Sequence, residues 1–494
     1  MSEDKDIRRR TISGLGWTAS SQLVLQATQF AFTATLARLL VPHEFGLMAL
    51  IAVFTGFVTV FVDFGLTAAI IQRPRLEERH LTTAFWTNLL AGVVLMLVMM
   101  GAAPGVAAFF GQPRLLGLTL AVSPDFVLGA AGMVQMALLQ RQMDFRRIAI
   151  VENTTLLASN GLAVGLAASG FGVWSLAAYF LASTGFRSLA LWVATPWRPG
   201  WRIDRGAFGD LWQFSSRLAA FNALNYWARN ADNLLIGRFV GTAPLAYYNR
   251  AYNLMLLPVG LVASVTSRVM FPALSRLHED QEQVKRVYLR ATGLIALVTF
   301  PAMIGLLVVA NPFILSVYGE RWRPVVPILQ ILCIPSIVQC LTRTTGWIFQ
   351  SQGRADWMFR WGVVSTVTVI VSFFIGLPWG VKGVSVAYAC WTVLMASPSF
   401  SIAGRLIGVT LADVARSVIG VATASAAMGA VVWLVLELLP TGWGAGLDLA
   451  ICVATGALAY AAALHVVSPS PYGEFRRLVG EYHRRRAHVG VASS

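Results

Sequence analysis

Hydrophobic residues come in long blocks along this chain, separated by short polar, glycine or proline breaks. A helix that crosses a bilayer needs about 20 predominantly apolar residues. The blocks meet that need at 14–40, 45–71, 82–103, 115–139, 148–168, 173–194, 208–238, 250–272, 291–310, 325–349, 361–377, 383–403, 415–437 and 446–467. The pattern predicts an all-α polytopic membrane protein with about 14 transmembrane helices. None of the connections is long enough for a folded domain. The first block follows a basic start, Arg8-Arg9-Arg10, as the core of a signal peptide would. It runs on to about Leu40 and carries Gln22, Gln26 and Gln29, so it reads as a retained first span.

Composition agrees with the blocks. Of 494 residues, 56% are hydrophobic and 12% charged. Soluble domains hold about 45–50% apolar and about 25% charged residues, so a large soluble domain is excluded. The four cysteines, Cys333, Cys340, Cys390 and Cys452, all fall in apolar runs without a CxxC pair, and read as buried, inert thiols.

The net charge of +15 changes the picture more. In a soluble chain such an excess would point to nucleic acid. In a membrane chain the positive-inside rule comes first. With the N-terminus in the cytoplasm, 26 of the 38 Lys and Arg residues fall in cytoplasmic segments and 7 at outer ends. That imbalance predicts an even number of spans with both termini inside. The tail cations Arg484, Arg485 and Arg486 fit anionic lipid, and no nucleic-acid partner is expected. Five arginines remain within the spans: Arg187, Arg217, Arg229, Arg268 and Arg343.

The chain also resembles itself at an offset of roughly 200–210. Ala37-Arg38 matches Gly237-Arg238, and Ala102-x-Pro104…Phe110-Gly111 matches Ala310-x-Pro312…Tyr318-Gly319. Gln140-x-Gln142 matches Gln350-x-Gln352, and Gly172-Val173…Ala178-Tyr179 matches Gly380-Val381…Ala387-Tyr388. The expected organisation is a six-helix lobe at 1–206 with a basic cytoplasmic start, and a second six-helix lobe at 207–405. Two appended helices at 406–467 and a basic tail at 468–494 follow. An even unit makes the repeat parallel, about an axis along the membrane normal, as in transporters whose substrate path lies between the halves.

An ionisable group at mid-bilayer costs about 2.5–3.5 kcal/mol, so it should face a wet cavity or a partner. Span 7 carries Ser215, Asn222, Asn225, Arg229, Asp232 and Asn233 on one side. Span 1 carries Thr18, Gln22, Gln29 and Thr33, and span 10 carries Gln339, Thr342, Arg343, Gly346 and Gln350. Span 8 adds Asn253, Gly260, Ser264 and Arg268. These stripes predict a hydrophilic lumen with cations on its walls. Plainer readings stand beside it: Arg229 paired with Asp232 at i+3, and Arg187 and Arg268 snorkelling from span ends. Acids also lie within spans, among them Asp63, Asp125 after Pro124, Glu152 and Asp232. No GxSxG, P-loop or HExxH is present. The expectation is therefore a transporter, not an enzyme, with no cofactor and no metal.

Particular segments then resemble a known family. Ala34-Thr35-Leu36-Ala37-Arg38-Leu39-Leu40-Val41-Pro42-His43-Glu44-Phe45-Gly46-Leu47 is similar to the opening signature of Wzx-type polysaccharide flippases. Asp63-Phe64-Gly65-Leu66, Asp232-Asn233-Leu234-Leu235-Ile236-Gly237-Arg238 and Leu245-Ala246-Tyr247-Tyr248-Asn249-Arg250-Ala251-Tyr252 resemble further segments, with Ala246 where that branch often has Gly. The resemblance implies the MOP superfamily, with two six-helix lobes in a V and alternating access. It implies flipping of an undecaprenyl-pyrophosphate-linked oligosaccharide across the bacterial inner membrane, for exopolysaccharide, capsule or lipopolysaccharide. The implied partners are that lipid-linked oligosaccharide, membrane lipids, and a polymerase and chain-length regulator.

A pyrophosphate suits arginine, which binds phosphate bidentately. Under the resemblance Arg217, Arg229, Arg268 and Arg343 would line the phosphate path, with Asn222, Asn225, Gln22, Gln29 and Gln339 for the sugars. Asp63, Asp125, Glu152 or Asp232 would bind a coupling ion. The alternatives are an ion-coupled multidrug antiporter or a lipid II flippase of the same superfamily. A membrane-embedded polymerase or glycosyltransferase fits less well, because no long external loop is visible.

Overall fold

The computed structural model describes residues 24–63, 67, 70–71, 76–201, 204, 226, 230–277, 280–440, 444–467 and 472–473, without the side chains of 60–63, 259, 261–269 and 271–273. Among the described residues every regular element is a helix. In chain order they are α1 (24–39), α2 (Pro42–Asp63), α3 (Glu78–Phe110), α4 (Arg114–Val122), α5 (Asp125–Arg141), α6 (Phe145–Ala168), α7 (Val173–Ala194) and α8 (230–239). They continue as α9 (Thr242–Arg276), α10 (Gln281–Val308), α11 (Ala310–Val317), α12 (Val325–Thr342), α13 (Thr345–Ser351), α14 (Ala355–Gly376), α15 (Gly380–Gly404), α16 (Leu411–Leu438) and α17 (Ala445–Val467).

Among the described residues, 9 stretches are long and apolar enough to cross a membrane. One of them, Ala355–Gly404, spans 50 residues and contains both α14 and α15, the expected spans 361–377 and 383–403. α6, with Arg146, Arg147, Glu152, Asn153 and Asn160 along it, is not among them. Apolar side chains stand exposed where lipid would lie: on α14, Val363, Val367, Val371 and Phe374 share one face. In water that face would be an aggregation patch. In a bilayer it meets hydrocarbon.

The chain divides into two compact units, Met1–Ala246 and Tyr247–Ser494. In the first, α3 packs on α5, α5 on α7, and α6 on α7. In the second, α10 packs on α12, α12 on α15, and α14 on α15. The two orders of packing are the same when the repeat is laid over them. Helix ends repeat as well. α5 ends with Met143 donating to the Gln140 carbonyl at 3.0 Å and Asp144 to Leu139 at 3.0 Å. α13 ends with Gly353 donating to Gln350 at 3.2 Å and Arg354 to Phe349 at 2.8 Å. Gly111 and Gly319, and Gly172 and Gly380, likewise share a positive φ at matching ends. In the second unit α16 lies on α10 and α17, and α17 also contacts α11.

Two expected spans are not single helices. The span 115–139 is divided between α4 and α5 at Ser123-Pro124. Pro124 has no N–H to give, and Ser123 Oγ takes the Thr119 carbonyl at 2.7 Å. The span 325–349 is divided between α12 and α13 at Arg343-Thr344, where Thr344 Oγ1 donates to the Leu341 carbonyl at 2.6 Å. Each hydroxyl adds a second donor to a carbonyl that already takes a backbone N–H, Ser123 N to Thr119 at 3.1 Å and Thr344 N to Leu341 at 3.0 Å. Three of the cysteines are buried as expected, but Cys390 is exposed on the surface of α15.

Candidate functional site

Within the first unit, α2, α5 and α7 enclose a partly open cavity of about 310 Å³. Its polar wall is Thr59, Asp125, Gln140, Thr184, Arg187 and Ser188, and Phe126 and Met133 form an apolar side. Small residues on α5 make room for it. A Cβ on Gly132 would fall 2.7 Å from Ser188 Oγ, so only glycine lets α7 come this close. Ser188 donates to the Leu128 carbonyl, and Trp192 Nε1 donates to the Ala131 carbonyl at 2.7 Å, which ties α7 to α5.

Asp125 opens α5 and is 9% exposed. Thr184 lines the cavity beside it, and Asp125 Oδ1 has no hydrogen-bond partner. Arg187 is exposed toward the cavity and sits within electrostatic reach of Glu152 on α6. An acid with an unpaired, buried oxygen and an arginine therefore line the same cavity.

Gln29 on α1 lies in a second polar group of this unit. Asn160 Nδ2 reaches its Oε1 at 3.5 Å, and Tyr179 Oη donates to the same oxygen at 3.3 Å. In the second unit the repeat-equivalent tyrosine, Tyr388, accepts from Gln339 Nε2 at 2.8 Å. Gln339 Oε1 is buried with no hydrogen-bond partner. Four residues further on, Arg343 is exposed at the α12–α13 break. Arg250, fully within this unit, lies over the rings of Tyr318 and Trp322 at 5.3 and 5.4 Å.

The other expected residues are placed as follows. Gln22, Arg217, Asn222, Asn225 and Arg229 lie outside the described residues. Arg268 is helical in α9, and Asp63 ends α2, but their side chains also lie outside the description. Asp232 on α8 is buried, and its Oδ1 accepts from the Asn233 backbone at 2.8 Å. So the structure places Asp125 and Arg187 on one cavity, and bonds Gln29 to Tyr179 and Gln339 to Tyr388. Arg187, Thr184 and Gln140 stand in the cavity although they were not among the expected site residues. The signal for Arg187 was its position inside a span, and that for Gln140 its place in the repeat.

The signature segments have structural work of their own. His43 Nδ1 and Thr242 Oγ1 lie 2.6 Å apart, and Glu44 caps the Val41 amide at 3.1 Å. A Cβ on Gly46 would meet the Thr242 carbonyl oxygen at 1.9 Å, and one on Gly237 would meet Leu50 at 2.2 Å. These contacts hold α2 against α8 and against the start of α9.

The chain matches the lipid II flippase MurJ in its inward closed conformation with a TM-score of 0.75, at 15% identity, over 95% of this chain and 100% of that one. The fold is that of MOP-superfamily transporters, and the protein is a multi-pass membrane protein. A family model described as "Polysaccharide biosynthesis protein" matches residues 35–327, and the chain belongs to that family. It is 29% identical over 466 residues to the teichuronic acid biosynthesis protein TuaB of Bacillus subtilis (strain 168), covering 92% of this chain and 95% of that one. It is 28% identical over 376 residues to the lipopolysaccharide biosynthesis protein WzxC of Escherichia coli (strain K12), covering 75% and 76% respectively.

Proposed function

We propose that this protein flips lipid-linked oligosaccharide repeat units across the membrane for polysaccharide synthesis. The observation that carries the reading is a polysaccharide biosynthesis family match over 35–327 on a chain with a flippase fold. The chemistry supports transport over catalysis: the charges within the units are spread over walls and breaks. The lobes at 1–206 and 207–405 rock against each other in alternating access, with 406–467 appended and the tail 468–494 in the cytoplasm. Both termini face the cytoplasm, and the membrane is the bacterial inner membrane. A polymerase and chain-length regulator take up the flipped unit.

Arg217, Arg229, Arg268 and Arg343 guide the pyrophosphate, because guanidinium forks match phosphate oxygens. Gln22, Asn222, Asn225, Gln29 and Gln339 meet the sugars. Asp63, Asp125, Glu152 and Asp232 are the acids available to a coupling ion. Of these, Asp125 shares its cavity with a guanidinium, which works against a cation there. Export in vesicles with a membrane potential and no ion gradient tests whether coupling is needed at all. Neutralising the four arginines together should stop polymer export; unchanged export would remove them from the path.

The whole reading is tested by deleting the gene and analysing lipid-linked intermediates. Complete repeat units should accumulate facing the cytoplasm while polymer disappears. Normal polymer with no accumulated unit would sink the reading.

A further inference from the structure

The cavity of the first unit pairs two groups of opposite hydrogen-bonding character. A carboxylate only accepts and a guanidinium only donates, whereas a sugar hydroxyl does both. Asp125 is nine-tenths buried with its Oδ1 unpaired, Thr184 lines the wall beside it, and Arg187 brings donors to the same cavity. Phe126 and Met133 give an apolar wall for the C–H face of a ring. The volume of about 310 Å³ sits at the low end for small-molecule pockets, about 300–1,000 Å³. It has room for one sugar ring rather than a whole repeat unit.

Charge then selects among ligands. Arg187 disfavours a cation. Asp125 disfavours an anion, and Glu152 lies within electrostatic reach of Arg187. We infer that this cavity is a subsite for one neutral monosaccharide unit, whose neighbouring hydroxyls donate to Asp125 and accept from Arg187. The inference rests on the oligosaccharide reading above and removes Asp125 from the candidates for an ion site. The counterpart positions in the second unit, about 210 residues on, hold Pro335 for Asp125 and Met395 or Ala396 for Arg187. The subsite therefore belongs to one half of the repeat.

The test uses the full chain in lipid nanodiscs and saturation-transfer NMR with four probes: methyl glucoside, glucuronate, inorganic phosphate and sodium ion (read by line width). Wild type should transfer saturation to methyl glucoside more than to glucuronate. Asp125→Asn and Arg187→Gln should each weaken that binding about tenfold, the loss expected for a hydrogen bond to a charged group. Gly129→Leu, whose Cβ meets Thr184 at an ordinary 3.5 Å, should fill the cavity and abolish the signal. If that chain does not fold, the nearly isosteric Asp125→Asn and the Arg187→Gln variant decide. No glucoside signal in wild type, or equal signals in wild type and both variants, overturns the inference. So does Arg187-dependent binding of glucuronate or phosphate in place of the glucoside, or Asp125-dependent sodium broadening without a sugar signal. Restoration of polymer in a deletion strain is read in parallel with wild type. Failure there with an Asp125-dependent sugar signal sinks the flipping reading alone; success there without that signal sinks the subsite alone.

Discussion

The two units share a frame and differ in what they put inside it. In both, the helix of span 4 or 10 bridges its neighbours in the same order, and the same ends close with the same turns. In both, the equivalent tyrosine is held by a glutamine, but Tyr179 takes Gln29 from α1 and Tyr388 takes Gln339 from α12. The charged cavity of Asp125 and Arg187 belongs to the first unit. A duplicated scaffold can thus keep its packing while one copy acquires chemistry that the other lacks.

The sharpest way to break the comparison is at the α14–α15 crossing. A Cβ on Gly383 would fall 2.2 Å from the Gly376 carbonyl oxygen. Gly383→Val should cost about 3 kcal/mol or more, because backbone cannot move aside cheaply. The counterpart about 208 positions earlier, Ser175, already carries a side chain, whose Oγ donates to Gly172 at 2.7 Å. Ser175→Val should cost about 1 kcal/mol, the worth of one local hydrogen bond. Thermal unfolding of the purified chain reads both. Equal losses would show that the two crossings are not differently packed.

A middle-sized effect is expected at the tyrosines. Gln339→Leu removes a 2.8 Å bond from a partly buried pair and should cost about 1–2 kcal/mol. Gln29→Leu removes longer contacts of 3.3 and 3.5 Å and should cost less than about 1 kcal/mol. Urea or heat midpoints give the ranking, and a reversed order would mean that the first-unit pair is the tighter one.

The smallest effect is the most specific. Met143 holds a φ of 56° where its counterpart Gly353 holds 65°. Among the described residues Met143 is the one non-glycine with positive φ. A left-handed residue with a Cβ costs about 1 kcal/mol or slightly more. Met143→Gly should therefore raise the melting temperature, and Gly353→Met should lower it by a similar energy. A destabilised Met143→Gly chain would show that the methionine side chain contributes more than the backbone strain costs.

Much of the frame is legible in the sequence, because a span announces itself by length and apolarity alone. The repeat was legible through Gln140 and Gln350, Gly172 and Gly380, which are tied to turns that tolerate few substitutes. The break in span 4 was half legible, because Pro124 marks a kink; that in span 10 was not, since Thr342 and Thr344 look like ordinary polar positions until their hydroxyls are seen donating to helix carbonyls. The cavity was half legible. Asp125 and Arg187 each stood out as charges in spans, but they lie on different helices roughly sixty residues apart, and nothing in one segment names the other. The signature segments that mark the family also pack: Gly46 lets α2 meet the start of α9, and Gly237 lets α8 meet α2.

The most direct test of the central claim places the purified chain in vesicles with a polyprenyl-pyrophosphate oligosaccharide labelled on its sugar. A membrane-impermeant glycosidase is added outside, and the labelled sugar that it reaches is followed in time. Vesicles containing the protein should expose the inner-leaflet pool, while empty vesicles keep about half of the label protected. Equal protection in both would contradict the claim.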